Sequence, residues 1–186
     1  MLSARSAPQH EAERWTEEMN RKELIAIMPT NGDDLLAAKC IVDMGYPAVV
    51  PVMRDMVRWL RVAKSPVADE FAAFFARVGT PAVGVIAEGL RRDNCWLKHR
   101  ILTAILPEWP VEAIRQLSGD LSMAATHPDA YDNDLHCVAI LAQHQLADLK
   151  WLKDWISFKK ERWTVKNCLL VEVEEQLNRF QPPAAG

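Results

Sequence analysis

At 186 residues, 49% hydrophobic and 25% charged, the chain has room for a sizeable core and is too apolar for general disorder. A net charge of −3 argues against nucleic acid as the main partner, while leaving room for a local basic patch. No apolar run approaches the ~20 residues that span a bilayer, and Met1–His10 has no apolar signal region, so a soluble cytoplasmic protein is expected.

In chain order, residues 1–10 read as a flexible lead. A first helix runs from about Glu11 to Met28, its early glutamates complementing the helix dipole, and stops at Pro29. Asp33 is the expected N-cap of the next helix, whose stripe is Leu35, Ala38, Ile41 and Val42 and whose stop is Gly45. Pro47 then restarts the chain at a first-turn position, and Pro51 predicts a late start or a kink. Val49, Val52, Met53, Met56, Val57 and Leu60 carry that second stripe.

Ser65-Pro66 opens the following helix, with Val67, Phe71, Phe74, Phe75 and Val78 as its apolar face and Gly79 as its stop. Thr80-Pro81 repeats the restart, and Ile86 and Leu90 follow it. Asn94 caps a helix bearing Trp96, Leu97, Ile101, Leu102 and Ile105, ended by Pro107 and Pro110. Val111, Ile114, Leu117 and Leu121 predict one more helix, then an acidic loop, His127 to Asp134. Leu135, Val138, Ala142, Leu146 and Leu149 mark a further helix, and Leu169, Val173, Leu177 and Phe180 a last one before a flexible tail at 181–186.

Gly45-Tyr46-Pro47-Ala48-Val49 recurs 34 residues on as Gly79-Thr80-Pro81-Ala82-Val83, with Ala38, Ile41 and Met44 opposite Ala72, Phe75 and Val78. A period in this range marks stacked helical hairpins, usually binding surfaces. No stretch alternates as a strand does. The expected fold is therefore all-α: HEAT-like stacked helical hairpins with extra C-terminal helices, forming one domain over 11–180.

The run from Gly45-Tyr46-Pro47 through Trp59-Leu60, Ser65-Pro66-Val67-Ala68 and Gly79 to Asp93, Trp96, Lys98 and Ile101-Leu102 resembles a bacterial domain-of-unknown-function family (domain of unknown function 5071). The family's pattern runs roughly W-L-x-D-x-N-W-P-V-A, then D-x-x-W-K-x-x-I-L. Ser65 stands here in place of its second tryptophan, and Leu97 separates Trp96 from Lys98. The resemblance, over about residues 33–111, implies a HEAT-like helical repeat in a bacterial protein, of a kind met near toxin loci.

Catalytic signatures are missing from the sequence: it has no G-x-S-x-G, no phosphate-binding glycine loop and no H-E-x-x-H. The carboxylates Asp129, Asp132 and Asp134, and Glu172, Glu174 and Glu175, read as solvated sets rather than acid–base pairs. His136 and Cys137 diverge on a helix and His144 lies two turns from His136, which is not metal-ligand spacing. These histidines read as surface residues. The four cysteines form no C-x-x-C pair; three lie in apolar helical runs as small hydrophobes, and a reducing compartment is expected. No enzyme, cofactor or metal is expected.

Partner-binding candidates are Arg54, Arg58, Arg61, Arg91, Arg92 and Arg115 on the inner helices, the loop acids Asp129, Asp132 and Asp134, and Trp151 and Trp155. Trp151, Trp155 and Trp163 lie among six basic and two acidic residues between Lys150 and Lys166. Three readings of that segment stand: end-cap packing, a protein hot spot, or base stacking. The expected function is a non-enzymatic protein-binding module, an immunity-type protein that blocks a cognate bacterial toxin. The alternatives are a HEAT-like nucleic-acid-binding or base-directed enzyme, and a scaffold subunit of a larger complex.

Overall fold

The computed structural model describes residues 21–162 and 168–179. Every regular element among them is helical, so the fold is all-α. The chain divides into two compact units, Met1–Val78 and Gly79–Gly186, and the division falls at the second glycine of the repeat. No single helix among the described residues is long and apolar enough to cross a membrane.

In the first unit a helical segment over 21–26 ends in a turn before Pro29; the expected start of that helix near Glu11 lies outside the described residues. Helix α1 (Leu35–Met44) follows. Its N-cap is Asp34, one residue later than expected, with the carboxylate accepting from Ala37 N at 3.3 Å. Asn31 Oδ1 already accepts from the Asp33 amide at 2.9 Å, which closes the turn and leaves the cap to Asp34. A 3₁₀ turn (Val50–Val52) leads into α2 (Met53–Trp59), and α3 (Pro66–Val78) packs against both α1 and α2.

Ser65 caps α3 and also ties the loops together: its hydroxyl accepts from Ala68 N at 3.3 Å and donates to Gly32 O at 2.8 Å. Ile41, Met56, Leu60, Phe71 and Phe75 are fully buried here. Each contributes about 1.5–3 kcal/mol by leaving water. Short helices such as these are unstable alone, so this burial holds them.

The two copies of the repeat differ in how they restart. In the second, Pro81 lies in a 3₁₀ turn (Thr80–Ala82) and the α-helix begins at Val83. In the first, residues 46–49 form turns after a cis Tyr46–Pro47 bond, and the α-helix waits until Met53. Pro47 is therefore not a first-turn helix residue, whereas the late start expected from Pro51 is present. Pro51 has no N–H for the carbonyl four residues back. Its counterpart in the second copy is Val85, which does.

The second unit contains α4 (Val83–Leu90) and α5 (Cys95–Arg100), the latter capped by Asn94 Oδ1 accepting from Leu97 N at 2.8 Å. The same coil widens into a π turn (Ile101–Ile105) and tightens into a 3₁₀ turn (Leu106–Glu108) around Pro107. The helix expected over Val111–Leu121 is two: α6 (Val111–Gln116) and α7 (Ser118–Ala124), parted at Leu117, where ψ is 0°. Ser118-Gly119 directly after the break is poor helix-forming sequence.

Helix α8 (Asn133–Gln143) stops before Leu146 and Leu149, which were expected to extend it. Gln145 turns left-handed (φ 55°), and Leu146 N donates to Leu141 O at 2.9 Å, closing the helix with no glycine. Helix α9 (Leu149–Arg162) and α10 (Cys168–Arg179) complete the unit, with α7 and α10 both against α8. Phe180, placed in the last helix by its spacing, lies outside the described residues.

Both repeat glycines leave their helices at positive φ with extended ψ: Gly45 at 69° and 175°, Gly79 at 65° and −129°. That region is essentially glycine-only. A Cβ would meet nothing within 4 Å at Gly45 and only Pro110 Cδ at 3.8 Å at Gly79, so the constraint is backbone rather than crowding. Gly45→Ala and Gly79→Ala are each expected to lose about 1–3 kcal/mol in denaturant titration; unchanged midpoints would refute this backbone requirement.

Candidate functional site

The second unit carries a surface built around one short helix. Leu117, Leu121 and Ala124 turn inward at helical spacing, and Met123, one position off that stripe, stands 67% exposed. Its carbonyl accepts from Thr126 Oγ1 at 2.7 Å, from Thr126 N at 3.1 Å and lies 3.0 Å from His127 Nδ1, which anchors the end of α7.

Met123 separates two concavities. On one flank a pocket of about 200 Å³ is lined by Arg91, Asp93, Lys98, Asp120 and His127. There Arg91 Nε and Nη2 donate to Asp120 Oδ1 and Oδ2 at 2.7 and 3.0 Å. That hydrogen bonding first, and the Asp120 charge second, hold the guanidinium above its ordinary value. On the other flank an open groove of about 550 Å³ runs between Gly119, Ser122 and Thr126 on one side and Ala147, Asp148 and Trp151 on the other. Asp148 Oδ1 accepts from Trp151 N at 3.0 Å and so caps α9 at the groove edge.

Of the residues nominated from sequence, Arg91 and Trp151 thus fall on opposite flanks of Met123. Arg92 and Arg115 are exposed elsewhere in the same unit. Arg54, Arg58 and Arg61 are exposed in the first unit, where Asp55 accepts from both Arg58 and Arg21 at 2.7 Å and Arg61 Nε donates to Arg58 O at 3.2 Å. Sequence reasoning missed Met123; its one signal was an apolar side chain off the helical stripe.

The acidic loop needs correction. Asp129 is spent on local structure: Oδ1 accepts from Tyr131 N at 3.0 Å and Asn133 N at 3.3 Å, and Oδ2 from Asn133 Nδ2 at 2.8 Å. Asp132 is half-buried at a left-handed φ of 54°. Asp134 is not in the loop but in the first turn of α8, fully buried and ion-paired with Lys159 of α9, itself buried. It belongs to the core and offers nothing to a partner. Trp155 also serves packing: its indole N–H donates to Ala125 O at 3.0 Å, and Lys159 Nζ lies 5.2 Å from its ring centre. Trp163 lies outside the described residues.

His136 is half-buried rather than an open surface residue. Its ring meets His99 edge-on at 5.4 Å, in a cluster where Tyr131 contacts Trp96 at 5.3 Å and His99 at 5.4 Å. This cluster holds the loop against α5, and nothing in the spacing of its members along the chain announces it. Cys137 is buried as expected, its thiol pushed up to about 12 by burial and then by Asp134, whereas Cys40 is exposed on α1 and contradicts the buried reading. Among the described residues no group of three or more His, Cys, Asp or Glu side chains is placed to hold a metal.

Comparison with family models, with curated proteins and with solved structures gives no match.

Two expectations follow. Removing one member of the buried pair, by Asp134→Asn or Lys159→Met, strands the other charge and is expected to cost about 3–5 kcal/mol, while the apolar double variant recovers most of it; a small loss in the single variants would show the pair to be well hydrated. The second concerns pH. Burial, then the His99 charge, lowers the His136 imidazole against the opposing pull of Asp132, Asp129 and Asp134, and burial also lowers His144. The unfolded chain therefore binds these protons at higher pH than the folded chain, so stability is full above the ordinary histidine range and falls as pH drops through it. Melting temperature is expected to decline from pH 7.5 to 5.5, and His136→Asn to shallow that decline; an unaltered slope would remove His136 as its source.

Proposed function

We propose that this chain is a non-enzymatic protein-binding module of immunity type, which binds and blocks a cognate bacterial toxin. Met123, exposed between two concavities and flanked by Trp151 and Arg91, carries the reading. Methionine, aromatic residues and arginine are the types enriched where proteins meet, and a few such residues supply most of an interface's energy. The groove beside Trp151 suits an apolar side chain of the partner. The Arg91 guanidinium, oriented by Asp120, offers its remaining donors to a partner carboxylate or carbonyl. Blocking then follows from steric occlusion of the toxin's working surface over a standard-sized interface.

A binding role beside a toxin gene is also what the sequence resemblance to family 5071 implies, although no family model matches the chain. The nucleic-acid alternative gains nothing from Trp155, whose indole is engaged with Ala125 and Lys159.

The test is co-expression with the products of the neighbouring genes, taken one at a time. A stable complex and rescue of growth are expected, and Met123→Glu or Trp151→Ala should weaken the complex by about 2 kcal/mol or more, roughly 30-fold, without loss of helicity. A complex that leaves the partner fully active would make the chain a scaffold instead. Salt-dependent retardation of DNA with no protein complex would overturn the proposal.

A further inference from the structure

Helix α1 has two apolar faces, and the described residues of its own unit use one. Ala38, Ile41 and Val42 are buried, while Leu36, Cys40 and Met44, at i, i+4 and i+8, form a second stripe along the outside. Leu36 is 77% and Met44 49% exposed, and Tyr46, just past the helix end, is 51% exposed. Single exposed apolar residues are ordinary, but a stripe of them on one helix is the pattern of a packing face.

Symmetry and charge say what covers it. The stripe reads the same in both directions about Cys40, with a long apolar side chain four residues before it and another four after. Lys39 and Asp43, both exposed, lie along one edge of it. Two copies of α1 laid antiparallel about a two-fold axis at Cys40 place Leu36 of each against Met44 of the other. The same operation sets Lys39 of each copy beside Asp43 of its partner, giving two complementary pairs. A parallel arrangement would carry the Lys39–Asp43 edges of the two copies to opposite sides of the seam, where neither pair forms. The small Cys40 side chain at the crossing point allows close approach.

We propose that this outer stripe of α1 is a self-association face, whose partner is a second copy of the chain in isologous, antiparallel contact. It lies in the first unit, away in sequence from Met123 and Trp151, and stands whether or not the immunity reading does. A face carried by one 10-residue helix is small, so a reversible dimer is expected, with dissociation in roughly the micromolar range.

Sedimentation equilibrium on the full chain, from low to high micromolar concentration, is expected to show monomer and dimer. Leu36→Asp and Met44→Asp should leave monomer only; as exposed positions they leave the core intact, checked by circular dichroism. Lys39→Asp or Asp43→Lys alone should weaken association by about 10-fold, since symmetry loses each pair twice, and the double swap should restore it to near the original. A short bismaleimide should trap a dimer that Cys40→Ser abolishes. A chain that is monomeric throughout, a dimer indifferent to Leu36→Asp, failure of the double swap to restore pairing, or a dimer that gives no Cys40-dependent cross-link would each overturn the proposal. Toxin capture by these variants reads the other function separately, because Met123 and Trp151 are untouched.

Discussion

The second unit depends on one buried ion pair. Helix α9 is rich in lysine, and only Leu152, Ile156 and Lys159 of its middle turns are buried. An ammonium group placed in a core without a counter-charge would cost several kcal/mol, so α9 can dock only where a buried carboxylate meets it. Asp134, in the first turn of α8, is that carboxylate. Once Lys159 is committed, Trp155 is held beneath it with its indole N–H on Ala125 O, and Trp151, one turn earlier, is delivered to the rim of the groove beside Met123. Pairing deep in the unit thus fixes the register of a surface feature.

The first unit is organised differently, by backbone rather than charge. Ser65 gathers the loop at Gly32 and the start of α3 with one hydroxyl, and Gly45 turns the chain out of α1 through a conformation denied to other residues. Helix α1 is thereby placed with one face against α3 and the other outward. Two ion pairs on this unit, Arg21 and Arg58 about Asp55, are solvated and decide little energetically.

Helix positions were legible where a local rule had one reader. Asn94 and Ser65 act as caps, Gly45 and Gly79 as stops, and the stripes through Ile41, Phe71 and Leu97 face inward, because each signal acts within four residues of itself. Pro51 was legible in the same way, delaying α2 where its counterpart Val85 does not, but ends set by unmarked geometry were not: Gln145 stops α8 in a left-handed turn that glycine would ordinarily supply. The candidate site was half visible. Arg91 and Trp151 were nominated by type, but what joins them is Met123, and only folding places it. Asp134 misled for the converse reason: three nearby carboxylates look alike in sequence, and a lysine 25 positions away selects one for the core.

The raised Cys137 thiol has a chemical consequence. At about 12, its thiolate fraction near neutral pH is about one part in 10⁵, and peroxides and disulfides react with the thiolate alone. The same burial that makes Cys137 a packing residue slows its reaction with oxidants. Among the described cysteines, oxidative chemistry is instead directed to Cys40, exposed on α1.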